Sequence, residues 1–553
     1  MDLITCPLNQ FKYRVFVQVI TLGIMNVFQI DYSRLNLWSH TDLAYIKHDP
    51  SLDPFIAYPA ISESFNDIIS NRKDFTVDRH LLLSVLKKQY DQLDLDFPYP
   101  DHLLLSEDTF TITTAHQPSL LTGPLYHIYK IASTINVTGQ LNLSFPDQKF
   151  IPVFVIGGED HDWVEINHFH LFGRRYQWDR TASGPCGRLS LDGLDSVIQS
   201  VIELFSNSVH GNEIKELLEN CLQKAKNYGQ FHQLLVHGLF SKHGLLVLSM
   251  DDAELKKAFA PVMERELKEQ FSFKSVIPTQ HALEQDGFKS QAYCRQVNLF
   301  YMADDTRERI EQVEGGFLRV ESGVKYSLDE ILLELEQHPE RFSPNVIMRP
   351  LYQEYILPNL AYIGGGGEIA YWLERKAQFA VAGIHFPMLI RRNSLLLIDE
   401  SSAAQMKKSD LTWEDMLMDI DSIVKAYLFR HSQTELGFEE ELSRIKSAYD
   451  ELAAKADKID PTLAKAILAE EVKQTKQFEQ LGSRLLRAEK QQQDTHIKRI
   501  QKLKEKLFPE NGLQERQENF LSFYALYGPS WIDSMINICD PFVEKFTVVE
   551  LKA

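Results

Sequence analysis

The chain has 553 residues, 44% of them hydrophobic and 24% charged, with 58 basic against 77 acidic side chains and a formal net charge of −19. That length exceeds what one hydrophobic core organises and implies at least two domains. The acidic balance argues against a nucleic-acid binder, which needs clustered Lys and Arg to neutralise phosphates, and against attachment to anionic lipid. It leaves room for a small anion held in one local positive pocket.

At the N-terminus, Lys12 and Arg14 precede the apolar run Val15 to Met25, which imitates a signal peptide. The run is too short to span a bilayer and no small-x-small cleavage site follows. Residues 1–24 are therefore expected to be an extension outside the native fold, with Met25 the true first residue. Residues 26–105 carry helical patterns broken by Pro54, Pro59, Pro98 and Pro100. Thr109 to Thr114 is the first clear strand. It runs into Ala115-His116-Gln117, and a short loop then leads to Thr122-Gly123-Pro124. Thr122 reads as an N-cap and Pro124 as an early helical residue of a helix ending at Gly139. Strand, polar loop and helix N-terminus is an arrangement that receives phosphate or carboxylate oxygens. His116, Gln117, Thr122 and Gly123 are thus candidate substrate contacts, and Lys130, one to two turns into the helix, reads as either a ligand contact or solvated surface. His116 also has a plainer reading, that of a histidine satisfying backbone groups at a strand end.

The stretch Ile151 to His170, IPVFVIGGEDHDWVEINHFH, organises the core. Its unbroken apolar start reads as a strand buried on both faces, as in parallel sheets. Gly157-Gly158 ends it, and Glu159, Asp160, His161 and Asp162 follow. In open α/β sheets ligands bind beyond the carboxyl ends of the strands, so these four are the candidate catalytic residues. The alternative is a solvated loop in which Asp160 or Asp162 caps the next segment. Asp162, Glu165 and His168 match no established metal spacing, and no metal is expected.

Residues 171–240 and 271–342 read as insertions around another buried strand, Leu245 to Ser249, which empties into Asp251. The second insertion contains Phe300 and Arg307. Arg349 then precedes a helix, YQEYILPNL, interrupted at Pro358. Four glycines, Gly364, Gly365, Gly366 and Gly367, open the next helix together with Glu368. Glycines at a helix start let a ligand approach the backbone N–H groups, and a fork such as Arg349 suits a carboxylate. These six residues complete the substrate-binding candidates, with Glu368 as partner for a substrate amine.

Beyond Asp399 the pattern becomes long helices. Phe438, Leu442, Ile445, Tyr449, Leu452, Ala456 and Ile459 step by four and three, a heptad seam. Asp460-Pro461 breaks it, and Phe478, Leu481, Leu485 and Ala488 resume it, predicting an antiparallel helical hairpin. The expected organisation is a Rossmann-like α/β parallel-sheet core over 25–398, a helical coiled-coil domain over 399–510, and a tail over 511–553. The five cysteines, Cys6, Cys186, Cys221, Cys294 and Cys539, are scattered and contain no C-x-x-C. They read as free thiols in a reducing cytoplasm.

Three blocks carry a family resemblance: GGEDHDWVEINH; Thr113 to Ile131, TTAHQPSLLTGPLYHIYKI; and Ser343 to Asn393, which contains SPNVIMRPLYQEYILPNLAYIGGGGEIAYW and ends in PMLIRRN. In this order they resemble the cysteine-adding enzyme of bacillithiol synthesis, the BshC family, from about Met25 to the C-terminus. One departure stands out. The family's first motif usually reads Gly-Gln-Gln where this chain has Ala115-His116-Gln117. That block also resembles, more distantly, the HIGH-type loop of nucleotidylyltransferases and class I aminoacyl-tRNA synthetases. The BshC resemblance implies a ligase joining cysteine to the amino group of glucosaminyl malate, and a homodimer formed through the coiled coil. Activating a carboxylate calls for a nucleotide such as ATP, and deprotonating the amine calls for a base, for which His161, Asp160 or Asp162 is the candidate. The other readings are a nucleotidylyltransferase-like enzyme activating a small carboxylate, and a non-catalytic coiled-coil scaffold.

Overall fold

A computed structural model describes residues 20–22, 25–303, 305–432 and 439–552. The chain divides into two compact units. One comprises Val27–Leu396 with Glu515–Val548, the other Leu397–Gln514 with short end segments. Nearly all of the N-terminal extension expected over 1–24 lies outside the described residues, as do Cys6 and Phe438.

A five-stranded sheet forms the centre of the first unit. Its strands are β1 (Thr109–His116), β2 (Lys149–Ile156), β3 (Leu246–Ser249), β4 (Asn359–Gly364) and β5 (Met388–Arg391). The spatial order is β5-β4-β1-β2-β3, and every neighbouring pair is parallel. From β1 the chain builds outward through β2 and β3, then returns to build the other side through β4 and β5. The direction reverses between β1 and β4, the switch point at which a doubly wound sheet opens a crevice. Covering on both faces explains why β1 and β2 are buried almost throughout. Pro152 lies just before the β2–β3 pairing begins at Val153, where one flank of β2 is unpaired and a missing N–H costs least.

Helix α1 (Tyr126–Ser144) crosses from β1 to β2. It runs through Gly139 rather than ending there, because a glycine inside a helix costs only about 1 kcal/mol and Val137, Thr138 and Leu141 on either side of it are buried. Helix α2 (Ala253–Glu269) follows β3, and α3 (Arg349–Ile356) precedes β4. The stretch read as one interrupted helix is α3 followed by a central strand. Pro358 disfavours helical backbone at Leu357, which is extended, and the chain turns into β4. Helix α4 is Gly366–Leu373, so it starts inside the glycine run, and a separate helix, Lys376–Ala382, follows.

Between β2 and β3 lie the hairpin of His168–Leu171 with Arg174–Gln177 and three helices, Leu194–Phe205, Gly211–Lys224 and Tyr228–Phe240. Between β3 and β4 lies an antiparallel sheet whose strands, in spatial order, are Lys325–Tyr326, Gly316–Arg319, Thr306–Val313, Leu299–Ala303 and Phe342–Pro344.

The second unit is helical. Helices α5 (Glu439–Asp457) and α6 (Pro461–Gln492) form a hairpin, with Asp460 Oδ1 accepting from the Thr462 N–H at 2.8 Å and Pro461 at the first helical position. Its seam differs from the expected one. Ala453 and Ala456 are buried while Leu452 and Ile459 are exposed, and Gly482 is buried while Leu481 and Ala488 are exposed. Small residues let two helix backbones approach closely, which turns their larger neighbours outward. Among the described residues no helix is long and apolar enough to cross a membrane. The four described cysteines are free and buried.

Candidate active site

Two polar clusters sit at the carboxyl ends of the strands of the first unit. The inner cluster lies at the switch point. Lys130, on the second turn of α1 and buried, donates to the Ala115 carbonyl and to Glu368 Oε1 at 2.8 Å. Tyr362 Oη, from β4, donates to the same Oε1 at 2.7 Å, and the Gly365 N–H donates to Oε2 at 2.9 Å. Burial works to raise the Glu368 carboxyl, but Lys130 and these donors hold it at about 2. Both oxygens of Glu368 are thus engaged within the protein, and the glycine-run N–H nearest the strand is already capped.

His116 accepts the Gln117 N–H on Nδ1 at 2.7 Å, and its Nε2 lies 3.1 Å from Tyr126 Oη. A neutral imidazole that accepts at Nδ1 carries its proton on Nε2, so His116 donates to Tyr126. Its ring stacks between Tyr126 and His127, and burial, followed by the Lys130 charge, lowers it to about 3. Arg349 is the first residue of α3 and donates through Nη2 to Tyr371 Oη at 3.2 Å.

The glycines divide by environment. A Cβ on Gly366 would lie 2.1–2.5 Å from the Asp42 carboxylate, which Arg391 holds through two hydrogen bonds at 2.9 and 3.1 Å. A Cβ on Gly367 would meet nothing within 4 Å. Gly364 is crowded by Tyr362 and Glu368, while Gly365 faces the Arg392 side chain. Thr122 does not cap α1. The cap position is Leu125, and Thr122 is fully buried with φ of 66°. The carbonyls of Leu121 and Gly123 accept from Asn519 Nδ2 at 2.8 and 2.6 Å. Leu121 and Gly123 therefore belong to the seat of the tail, with the buried Thr122 between them.

The outer cluster lies at the ends of β2 and β3. Glu159 is buried, ion-paired with Lys256 of α2, and accepts from Ser343 Oγ at 3.0 Å. Lys256 also pairs with Asp251 at 3.1 Å, and Arg188 grips Asp251 with two bonds at 2.6 and 2.7 Å. Burial would raise Asp251, but these cations hold it at about 2. Asp160 accepts from Gln117 Nε2 at 2.6 Å and from the His161 and Asp162 N–H groups at 2.7 and 3.3 Å. Against the burial that would raise it, the Arg307 charge and these donors keep its carboxyl below the ordinary value. Asp162 caps the helical turn Trp163–Ile166, accepting from the Glu165 N–H at 3.3 Å. His161 is half exposed, and Arg307 Nη1 lies 2.9 Å from its Nδ1. The Cys186 thiol is pushed up to about 12 by burial and nearby Asp160, which makes it unreactive. Gln117 joins the clusters: its N–H serves His116 and its side chain serves Asp160.

The model of the bacillithiol biosynthesis BshC N-terminal Rossmann-like domain matches residues 25–393, and that of the BshC C-terminal coiled-coil domain matches residues 395–551. The chain belongs to the BshC family. A relative from Flavobacterium johnsoniae named "Putative cysteine ligase BshC" is 39% identical over 89% of this chain and 94% of its own length. One of the same name from Christiangramia forsetii is 36% identical over 94% and 98%. Another from Chlorobaculum tepidum is 28% identical over 95% and 100%.

Set against this BshC framework, sequence reasoning brought forward the strand-end acids, His116, Gln117, Arg349 and the glycine run. It gave no role to Tyr362, Tyr126, Ser343 or Lys256, and left Lys130 and Asp251 undecided. Lys130 had a usable signal, a lysine early in the helix that follows a polar strand-end loop. Lys256 had a weaker one, a lysine five residues after Asp251. Ser343 had none, since it matters only through Glu159, distant in sequence, and Tyr362 had none because its bond to Glu368, six residues on, depends on the strand-to-helix turn between them. Among the described residues no group of His, Cys, Asp and Glu is arranged to hold a metal.

Proposed function

We propose that this chain is an amide-forming ligase that joins the carboxyl group of cysteine to the amino group of glucosaminyl malate in the synthesis of bacillithiol. Membership of the BshC family carries the reading. A carboxylate is a poor acyl donor, so the reaction needs an activating co-substrate, for which we propose a nucleotide such as ATP. The crevice between β1 and β4 is the natural place for the reacting groups. Arg349 and the first-turn N–H groups of α4 at Gly366 and Gly367, which have no helical carbonyl to bond, are assigned to substrate carboxylate or phosphate oxygens. Gln117 and the outer loop of Asp160, His161 and Asp162 are assigned to the other side of that crevice, with Asp160 ionised. Glu159 and Glu368 hold the two clusters together, each through a buried lysine.

Purified protein incubated with cysteine, glucosaminyl malate and ATP should yield the cysteinyl amide by mass spectrometry, and omitting the nucleotide should abolish it. Absence of the amide with every nucleoside triphosphate tried would overturn the reading.

We also propose a homodimer formed through the coiled coil. Ile459 is 82% exposed and Val472 64%, and Leu452, Leu463, Leu468 and Leu481 are also exposed on the α5–α6 hairpin. Apolar side chains in such number on one hairpin favour a partner face. Val472→Asp should sediment as a monomer that keeps its helical content by circular dichroism and melts at a midpoint no longer dependent on protein concentration. A wild-type monomer at micromolar concentration would refute the dimer. The free buried thiols suit a cytoplasmic location.

A further inference from the structure

His161 was the candidate base, and its surroundings argue for a different role. Arg307, on the inserted strand Thr306–Val313, directs Nη1 at His161 Nδ1. A guanidinium only donates, so Nδ1 must accept, and the proton of a neutral His161 lies on Nε2. Arg307 has little freedom to withdraw. Its Nε donates to Ser343 Oγ at 3.1 Å, its Nη2 to the Pro344 carbonyl at 3.3 Å, and its guanidinium stacks over Phe300 at 3.9 Å. Ser343 in turn donates to Glu159, so the arginine is braced on the outer cluster itself.

Other groups facing His161 are Phe300 and Glu321 from the inserted sheet and Asp160 and Asp162 from its own loop. The three carboxylates favour a charged imidazole. Burial and the Arg307 charge oppose it, and the balance lies below the ordinary histidine value. Protonation at Nδ1 would also set an N–H against the arginine donor.

We propose that Arg307 is a positioning residue that holds His161 as the neutral Nε2–H tautomer, so that His161 meets the substrate as a hydrogen-bond donor rather than as a base. A neutral imidazole can stabilise charge developing on a carbonyl or phosphate oxygen without carrying a charge of its own. The role in the reaction rests on the ligase reading above; the tautomer does not.

The test is nitrogen-15 NMR of the full chain labelled at histidine, with His161 assigned through His161→Gln. The wild type should show a neutral His161 protonated at Nε2 at pH 7, titrating below the ordinary value. Arg307→Ala should raise that midpoint by about one pH unit, because the carboxylates remain and the cation is gone. Arg307→Lys keeps the charge and should recover part of the shift. In ligation assays with cysteine, glucosaminyl malate and ATP, the acid limb of the pH–rate profile should move upward with the same variants. A wild-type His161 protonated at Nδ1 overturns the proposal without any variant. An unmoved midpoint in Arg307→Ala, with activity lowered equally at every pH, overturns it too. If the wild type makes no amide, the ligase reading fails while the NMR result still decides the tautomer.

Discussion

The inner and outer clusters share a sheet edge but are built differently. The partners of Glu368 are Lys130, Tyr362 and Gly365, all from α1, β4 and the loop that follows β4. Folding the parallel sheet is enough to assemble them. The outer loop after β2 takes Gln117 from the end of β1 but draws its other partners from elsewhere: Arg307 and Ser343 from the inserted antiparallel sheet and Lys256 from α2, while Arg188 of the first insertion holds the neighbouring Asp251. The inner cluster is therefore fixed by the core. The protonation and orientation of the outer one depend also on segments outside the sheet, which pack into the same hydrophobic core.

Lys256→Met should have the largest effect on this contrast. It leaves Glu159 without its cation and Asp251 with Arg188 alone, at a cost of about 3–5 kcal/mol in urea unfolding. Lys130→Met should cost less, because Glu368 keeps Tyr362 and the Gly365 N–H. Equal losses would remove the distinction. Next come the glycines. Gly366→Ala forces a Cβ into the Asp42 carboxylate and should cost about 1–3 kcal/mol. Gly367→Ala should stay within about 1 kcal/mol of wild type while impairing substrate affinity, if that N–H contacts substrate. Calorimetric titration beside a melting curve checks both variants.

Acid should expose the inner cluster. Glu368 at about 2 lies below its unfolded value, so its contribution is complete above roughly pH 4.3 and is lost as pH falls toward 2. His116 at about 3 lies below an unfolded value of about 6.5. The unfolded chain therefore gains a proton first, and stability falls as pH drops from about 6.5 to 3. His116→Gln should flatten the upper part of that decline and Glu368→Gln the lower, read from urea midpoints at successive pH values. The smallest effect is expected for Gln117→Ala. It removes one donor from Asp160, should cost about 1 kcal/mol, and should lower kcat more than it raises KM.

The sequence by itself determined the local chemistry. The apolar run Ile151–Ile156 could only be a buried strand, Gly157-Gly158 had to end it, and the next four ionisable residues had to stand at a strand end. The three-four spacing around Ile445 and Phe478, with the break at Asp460-Pro461, likewise determined a helical hairpin. These signals are contiguous or periodic, so short-range geometry suffices to read them. Tertiary structure decided everything that depends on a distant partner. It made β4 a central strand, although Asn359–Gly364 is short and follows a proline. It gave Gly366 to Asp42, more than 300 residues earlier in the chain, and Gly123 to the seat of the tail, and it engaged both oxygens of Glu368 within the protein. It also set Arg307 against His161, and so decided which ring nitrogen keeps the proton. No spacing in the chain encodes that contact, because it forms only when an inserted sheet and a strand-end loop meet in space.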